Sequence, residues 1–271
     1  YQYTGGVYLE KNDIFEQLEQ EGVHIDEELR YHKQFAVFDY EVLQVKENLP
    51  ANTARCTWER KHVPLSYSVC SNIPGHEEPY FVESDDPAYL VESMVVRLLE
   101  IQATQREMMA EKYSEILDYI EVRIEEQRQV EPEPMQEEDD SKDHRLPLEK
   151  LKQKFLDWLN ELVVVGFNSG KYDINVIKPH LLKTLRQYDP ISFAVKRSND
   201  YMCFKGKKLK FVDLKNFLAP GYNYDAFVTA HQCKMTKGHF PYEWLDSYEK
   251  LFHTSLPEQP DFFSVLKNRH I

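Results

Sequence analysis

Apolar and polar residues alternate from Phe38 to Val42 at the end of the apolar segment Phe35-Ala36-Val37-Phe38-Asp39-Tyr40-Glu41-Val42, and again through His62–Cys70, the two-residue period of strands with one buried face. The same reading, with short apolar runs between turn-forming residues, predicts strands over 34–45, 63–71, 80–82, 162–167, 191–196, 201–204 and 208–213. Pro64 is expected to mark the start of the second of these. Helical spacing predicts helices over 14–19, 87–127, 148–159, 174–188 and 224–231. The helix over 87–127 carries Leu90, Met94, Leu98 and Ile101, then Ile116, Ile120 and Ile124, so it is one long helix or a broken one. The order is strand, strand, strand, helix, strand, helix. This is an α/β chain whose first and fourth strands are expected side by side.

Asp39 and Glu41 face the same side of an otherwise apolar strand, so their carboxylates converge. A second strand, Leu162-Val163-Val164-Val165, breaks at Gly166-Phe167-Asn168-Ser169-Gly170-Lys171-Tyr172 and delivers Asp173 at the start of a helix. Phosphodiester hydrolysis by two divalent ions about 4 Å apart needs clustered carboxylates of this kind. Mg²⁺ or Mn²⁺ prefers oxygen ligands, and Mg²⁺ keeps several waters, so few protein acids suffice. Asp39 would bridge both ions, Glu41 would bind the ion carrying the attacking water, and Asp173 would bind directly or through water. Asn168 and Tyr172 are suited to hydrogen-bonding or stacking on the terminal nucleotides of a single strand. An Asp-x-Glu pair alone also occurs on solvated edge strands, and it is the second segment that adds weight.

The formal net charge of −13 disfavours a nucleic-acid binder until it is divided along the chain. Residues 1–143 hold 13 Lys/Arg against 33 Asp/Glu, and residues 144–271 hold 20 against 13, so the halves stand at −20 and +7. In the basic half Lys196, Arg197, Lys205, Lys207, Lys208, Lys210 and Lys215 interleave with Phe193, Tyr201, Phe204, Phe211 and Phe217. Such interleaving suits phosphates and stacked bases, and equally a hairpin with lysines on a solvated face. Residues 121–146 read as a disordered acidic insertion, because Glu131-Pro132-Glu133-Pro134 and Gln136–Asp143 have almost nothing apolar to bury. The four widely spaced cysteines, Cys56, Cys70, Cys203 and Cys233, fit reduced thiols and an intracellular site. No run of about 18 apolar residues predicts a membrane span. The histidines show no metal-binding spacing, and Trp58, Trp158 and Trp244 read as packing residues. A start at Tyr1 rather than Met reads as part of something longer.

The two acidic segments resemble the first and second exonuclease motifs of family B DNA polymerases. His62-Val63-Pro64-Leu65-Ser66-Tyr67-Ser68-Val69-Cys70-Ser71-Asn72, Tyr201-Met202-Cys203, Leu209-Lys210-Phe211-Val212-Asp213, Phe217-Leu218-Ala219-Pro220-Gly221 and Thr236-Lys237-Gly238-His239-Phe240-Pro241-Tyr242-Glu243-Trp244 are similar to the protein-primed branch carried by Maverick/Polinton-type DNA transposons. The resemblance runs from about Gly5 to Ile271. It implies a ribonuclease H-like 3′→5′ exonuclease domain over 34–271, with 1–33 as a lead-in, a mixed central sheet and a long acidic insertion. It also implies a nuclear site, single-stranded DNA 3′ ends and primer-template DNA as partners, and a terminal protein as primer. Leu214 and Lys215 become DNA contacts by the same resemblance, while Asp213 either lines that path or caps the next turn. No palm segment is present, so polymerase activity is implied for a parent protein only. The family's third motif is Tyr-x3-Asp, and Tyr242-Glu243-Trp244-Leu245-Asp246 has that spacing. It sits among Gly238, Pro241, Pro257 and Pro260 and inside another family segment, so the third motif is expected beyond Ile271 and the domain incomplete at its C-terminus. Alone, such a chain is expected to hydrolyse DNA poorly. The competing expectations are a catalytically inactive, domesticated transposon remnant that binds nucleic acid or protein, and a free-standing nuclease acting on RNA.

Overall fold

The computed structural model describes residues 13–46, 49–53, 55, 57–130, 145–234, 240–255, 257–264 and 268–270. The helices are α1 (Ile14–Gln20), α2 (Pro87–Lys112), α3 (Ser114–Val130), α4 (Pro147–Asn160), α5 (Asp173–Tyr188) and α6 (Tyr224–Ala230). The strands are β1 (Phe35–Val45), β2 (Lys61–Ser71), β3 (Tyr80–Glu83), β4 (Leu162–Gly166), β5 (Phe193–Arg197), β6 (Asp200–Lys205), β7 (Leu209–Asp213) and the short pair β8 (Phe263–Ser264) and β9 (Arg269–His270). The helix over 87–127 takes the broken form, interrupted at Tyr113, whose ring is buried while its amide still donates to the Met109 carbonyl and its carbonyl accepts from Leu117. Two expectations need correction. The stretch 121–130 is helical rather than disordered: Ile124 is buried, Arg123 pairs with Glu126, and Lys152 and Arg128 pair with Glu121 and Glu149. The rest of that insertion, 131–144, lies outside the described residues. Pro64 is the fourth residue of β2 rather than its first, and it sits opposite Val42 at a bulge between Glu41 and Val42.

The chain forms two compact units, one joining Tyr1–Gln34 to Gln102–Leu162 and the other joining Phe35–Ile101 to Val163–Ile271. The first is helical. Phe15, Leu18, Tyr113, Ile120, Ile124, Leu148 and Phe155 form its core, with Trp158 stacked on Phe155. Asp13 caps α1 by accepting from the Phe15 amide at 2.9 Å.

The second unit holds a seven-stranded mixed sheet in the order β3-β2-β1-β4-β7-β6-β5. β1 runs antiparallel to β2 and parallel to β4, with Phe35, Ala36 and Val37 opposite Val163, Val164 and Val165. The first and fourth strands therefore do lie side by side. Ala36, Phe38, Tyr40 and Val42 fill the buried face of β1, where Phe38 meets Phe211 of β7 and Tyr40 meets Tyr67 of β2. Phe204 and Phe211 stack on each other with ring centroids 4.7 Å apart, both buried, so neither is open to a base. Cys70 and Cys233 are free thiols. Among the described residues no helix is long and apolar enough to cross a membrane.

Candidate active site

Alternation along β1 turns Asp39 and Glu41 away from the buried face that Phe38 and Tyr40 occupy. Their neighbours across the ladder are Ser68 and Ser66, small side chains that leave the two carboxylates room. The parallel pairing with β4 brings Gly166 against Phe38, close enough that a Cβ on Gly166 would lie 3.1 Å from the Phe38 ring. Beyond the turn that follows, Asp173 opens α5 at only 5% exposure. Burial first, then the negative charges of Asp39, Glu41 and Asp213, together raise its carboxyl pKa to about 7 against a lowering backbone hydrogen bond. The three predicted acids thus lie within electrostatic reach of one another.

The turn between β4 and α5 is held by Asp213, which ends β7. Its carboxylate accepts from the amides of Asn168 at 2.8 Å, Gly170 at 3.1 Å and Lys215 at 3.0 Å. It therefore caps the next helical turn, as one reading expected, and also fixes the segment that presents Asp173. Asn168 takes a left-handed φ of 59°, which its short polar side chain tolerates. Gly170 is required where it stands, since a Cβ there would come within 1.9 Å of the Tyr201 carbonyl oxygen. Lys215 donates from Nζ to Asn168 Oδ1 at 3.0 Å, so two of the candidate DNA contacts meet, with half-buried Leu214 next to them.

Two tyrosines border the acids. The Tyr172 hydroxyl lies 2.7 Å from Nδ1 of His62 on β2, and the rings meet edge to face. The Tyr242 hydroxyl donates to Glu41 Oε2 at 3.0 Å, and burial together with Glu41 drives its pKa far above the usual phenol value. Phe240, Trp244, Leu245, Tyr248 and Leu251 pack on Leu43, Val45 and Leu65, and this packing carries Tyr242 to the site. Asp246 instead pairs with Lys250 at 2.8 Å. The Tyr-x3-Asp spacing that the sequence set aside therefore splits: its tyrosine reaches the acids and its aspartate binds a lysine. The spacing itself, between the apolar anchors Phe240 and Trp244-Leu245, was the signal that could have found Tyr242.

Further along the sheet, Phe193, Lys205 and Lys210 stand in one row across β5, β6 and β7. Phe193 is half exposed and Phe217 three-quarters exposed, while Tyr201 lies beneath the Lys196 ammonium, 4.5 Å from its ring centre. Trp158 and Trp244 pack as expected, and Trp58 is exposed. Among the described residues no three His, Cys, Asp or Glu side chains close around a common ion position. The oxygen-only donor set and the excess negative charge at Asp173 fit a hard divalent cation. Comparison with known proteins finds no matching family model, no matching curated protein and no matching solved structure.

Proposed function

We propose that this chain is the 3′→5′ proofreading exonuclease part of a DNA-directed DNA polymerase of family B, protein-primed type, acting on single-stranded DNA ends. The observation that carries the reading is the approach of Asp39, Glu41 and Asp173 at the end of the β1–β4 pair, where like charges and burial lift a carboxylate pKa. The strand order 3-2-1-4, with the first and fourth strands parallel, supports a ribonuclease H-like domain. Two Mg²⁺ or Mn²⁺ ions held by Asp39, Glu41 and Asp173 would supply a nucleophilic water and charge stabilisation at the departing oxygen. Tyr242 fixes the orientation of the Glu41 carboxylate by donating to it. Asn168 and Lys215, already joined, offer an amide and an ammonium to a terminal nucleotide. The Phe193–Lys205–Lys210 row suits the backbone and bases of the strand leading to it. Primer-template DNA, a terminal protein primer and a nuclear site belong to the parent polymerase that this reading implies.

The test is the fate of 5′-labelled single-stranded DNA and RNA with the 271-residue chain in Mg²⁺ or Mn²⁺. Slow shortening of DNA from its 3′ end is expected, reduced at least about 100-fold by Asp39→Ala. Shortening that Asp39→Ala leaves unchanged would sink the proposal, and faster loss of RNA would move it to an RNA nuclease. One observation favours the inactive remnant as a second reading: Asp246 is bound to Lys250 rather than to the acidic cluster. In that case DNA binding persists with no shortening.

A further inference from the structure

His62 is absent from every motif that singled out the acids, yet it touches the site. It stands on β2 opposite Gln44, and beside it Arg60 donates to Gln44 Oε1 at 2.9 Å, tying down that end of the β1–β2 ladder. Its Nδ1 is 2.7 Å from the Tyr172 hydroxyl, with ring centroids 5.6 Å apart at 66°. Burial and the Arg60 charge lower the His62 pKa, so the ring is neutral above pH 7 and has one nitrogen free to accept. A phenol is protonated there. Tyr172 and Nδ1 of His62 therefore share one neutral hydrogen bond whose direction the imidazole tautomer sets, while the Tyr242 hydroxyl donates to the acids.

We infer that His62 is a positioning residue: by hydrogen-bonding to the Tyr172 hydroxyl it fixes that ring as a wall beside the acids, against which the 3′-terminal nucleotide of a single strand is seated. This rests on the exonuclease reading. The two tyrosines then divide the work, Tyr242 orienting a carboxylate and Tyr172 seating the nucleotide. Because the bond orders a binding surface, its loss raises KM and spares kcat. His62→Asn places an amide group near the position of Nδ1 and keeps a hydrogen-bonding partner for the Tyr172 hydroxyl, whereas His62→Leu removes it.

The experiment is steady-state shortening of a 5′-labelled single-stranded oligonucleotide in Mn²⁺ by the 271-residue chain. Wild type would be compared with His62→Leu, His62→Asn, Tyr172→Phe and the His62→Leu/Tyr172→Phe pair. His62→Leu and Tyr172→Phe should each raise KM about fivefold, the worth of one hydrogen bond, with kcat within about twofold. His62→Asn should stay near wild type, and the double variant should be no worse than either single one. Losses that multiply in the double variant, a fall in kcat at constant KM, or no rescue by Asn overturns the inference while leaving the exonuclease reading intact. Wild-type chain that neither binds nor shortens the oligonucleotide overturns both. Tyr172→Phe keeps the ring and needs no change at His62, so an unaltered KM in that variant refutes the role even if His62→Leu fails to fold.

Discussion

Asp173 concentrates the site's chemistry in one side chain. Its folded pKa of about 7 lies above the usual carboxylate value of 3.8. Below pH 4 the group is protonated folded or unfolded, and its contribution is fully favourable. Between about pH 4 and pH 7 the unfolded chain has released a proton that the folded chain retains, so stability falls across that window and levels off above the folded pKa. The upper bound is about 4 kcal/mol, from roughly three units at 1.36 kcal/mol each. Asp173→Asn should raise the thermal midpoint by several degrees at pH 8 and leave it unchanged at pH 4, and millimolar Mg²⁺ should narrow the gap at pH 8 by stabilising the wild type. Melting curves with no gain for the variant at pH 8 would contradict this. Asp39, Glu41 and Asp173 were legible in the sequence because strand alternation and a Gly/Asn turn dictate where they point. Tyr242 was visible only as a Tyr-x3-Asp spacing set aside for its Gly/Pro surroundings, and His62 carried no such mark, because its partner Tyr172 lies 110 residues away, a distance that local periodicity does not encode.

Among the elements, the turn from β4 to α5 is the most constrained. The Tyr201 amide donates to the Gly170 carbonyl at 2.9 Å, the Gly170 amide donates to Asp213, and no volume remains for a Cβ. Gly170→Ala should cost more than about 2 kcal/mol in urea unfolding through backbone displacement and abolish DNA shortening with it. A variant of wild-type stability would show that the turn yields. A similar cradle lies at the start of β7, where buried Asp189 accepts from the amides of Lys207, Lys208 and Leu209. The sequence shows the seven strands of the large sheet to within two residues and misses β8 and β9, which at two residues each are too short to register a period. It misplaced 121–130 because charge density alone reads as solvated chain, whereas Ile124 and the cations Arg123, Arg128 and Lys152 make that stretch a helix. Pro64 misled in the same way, since the bulge beside it accommodates a proline inside a strand.

For the whole molecule, the division of charge is the main constraint on partners. With −20 in residues 1–143 and +7 beyond them, an anionic strand is favoured only on the second half. Binding of a single-stranded oligonucleotide through Lys205, Lys210 and Lys215 should fall with salt at a log–log slope of about −2, three phosphates at about −0.7 each. Changing Lys205 and Lys210 to Gln should flatten that slope to about −0.7. A slope indifferent to these lysines would place the contact elsewhere. The sequence also read residues 34–271 as one domain after a lead-in, whereas the compact units interleave along the chain; a boundary of that kind leaves no compositional mark. The pairing of Phe35 with Val163 spans 163 − 35 = 128 residues. On a ribosome adding about 5–20 residues per second, β1 would wait roughly 6–25 s for β4. Its antiparallel partner β2 arrives sooner, so one edge of β1 is covered early and the other stays open until the strand that leads to Asp173 emerges. The acids therefore come together only after β4 has been made, ahead of β5, β6 and β7, and a chain halted before β4 carries the first two carboxylates without the third.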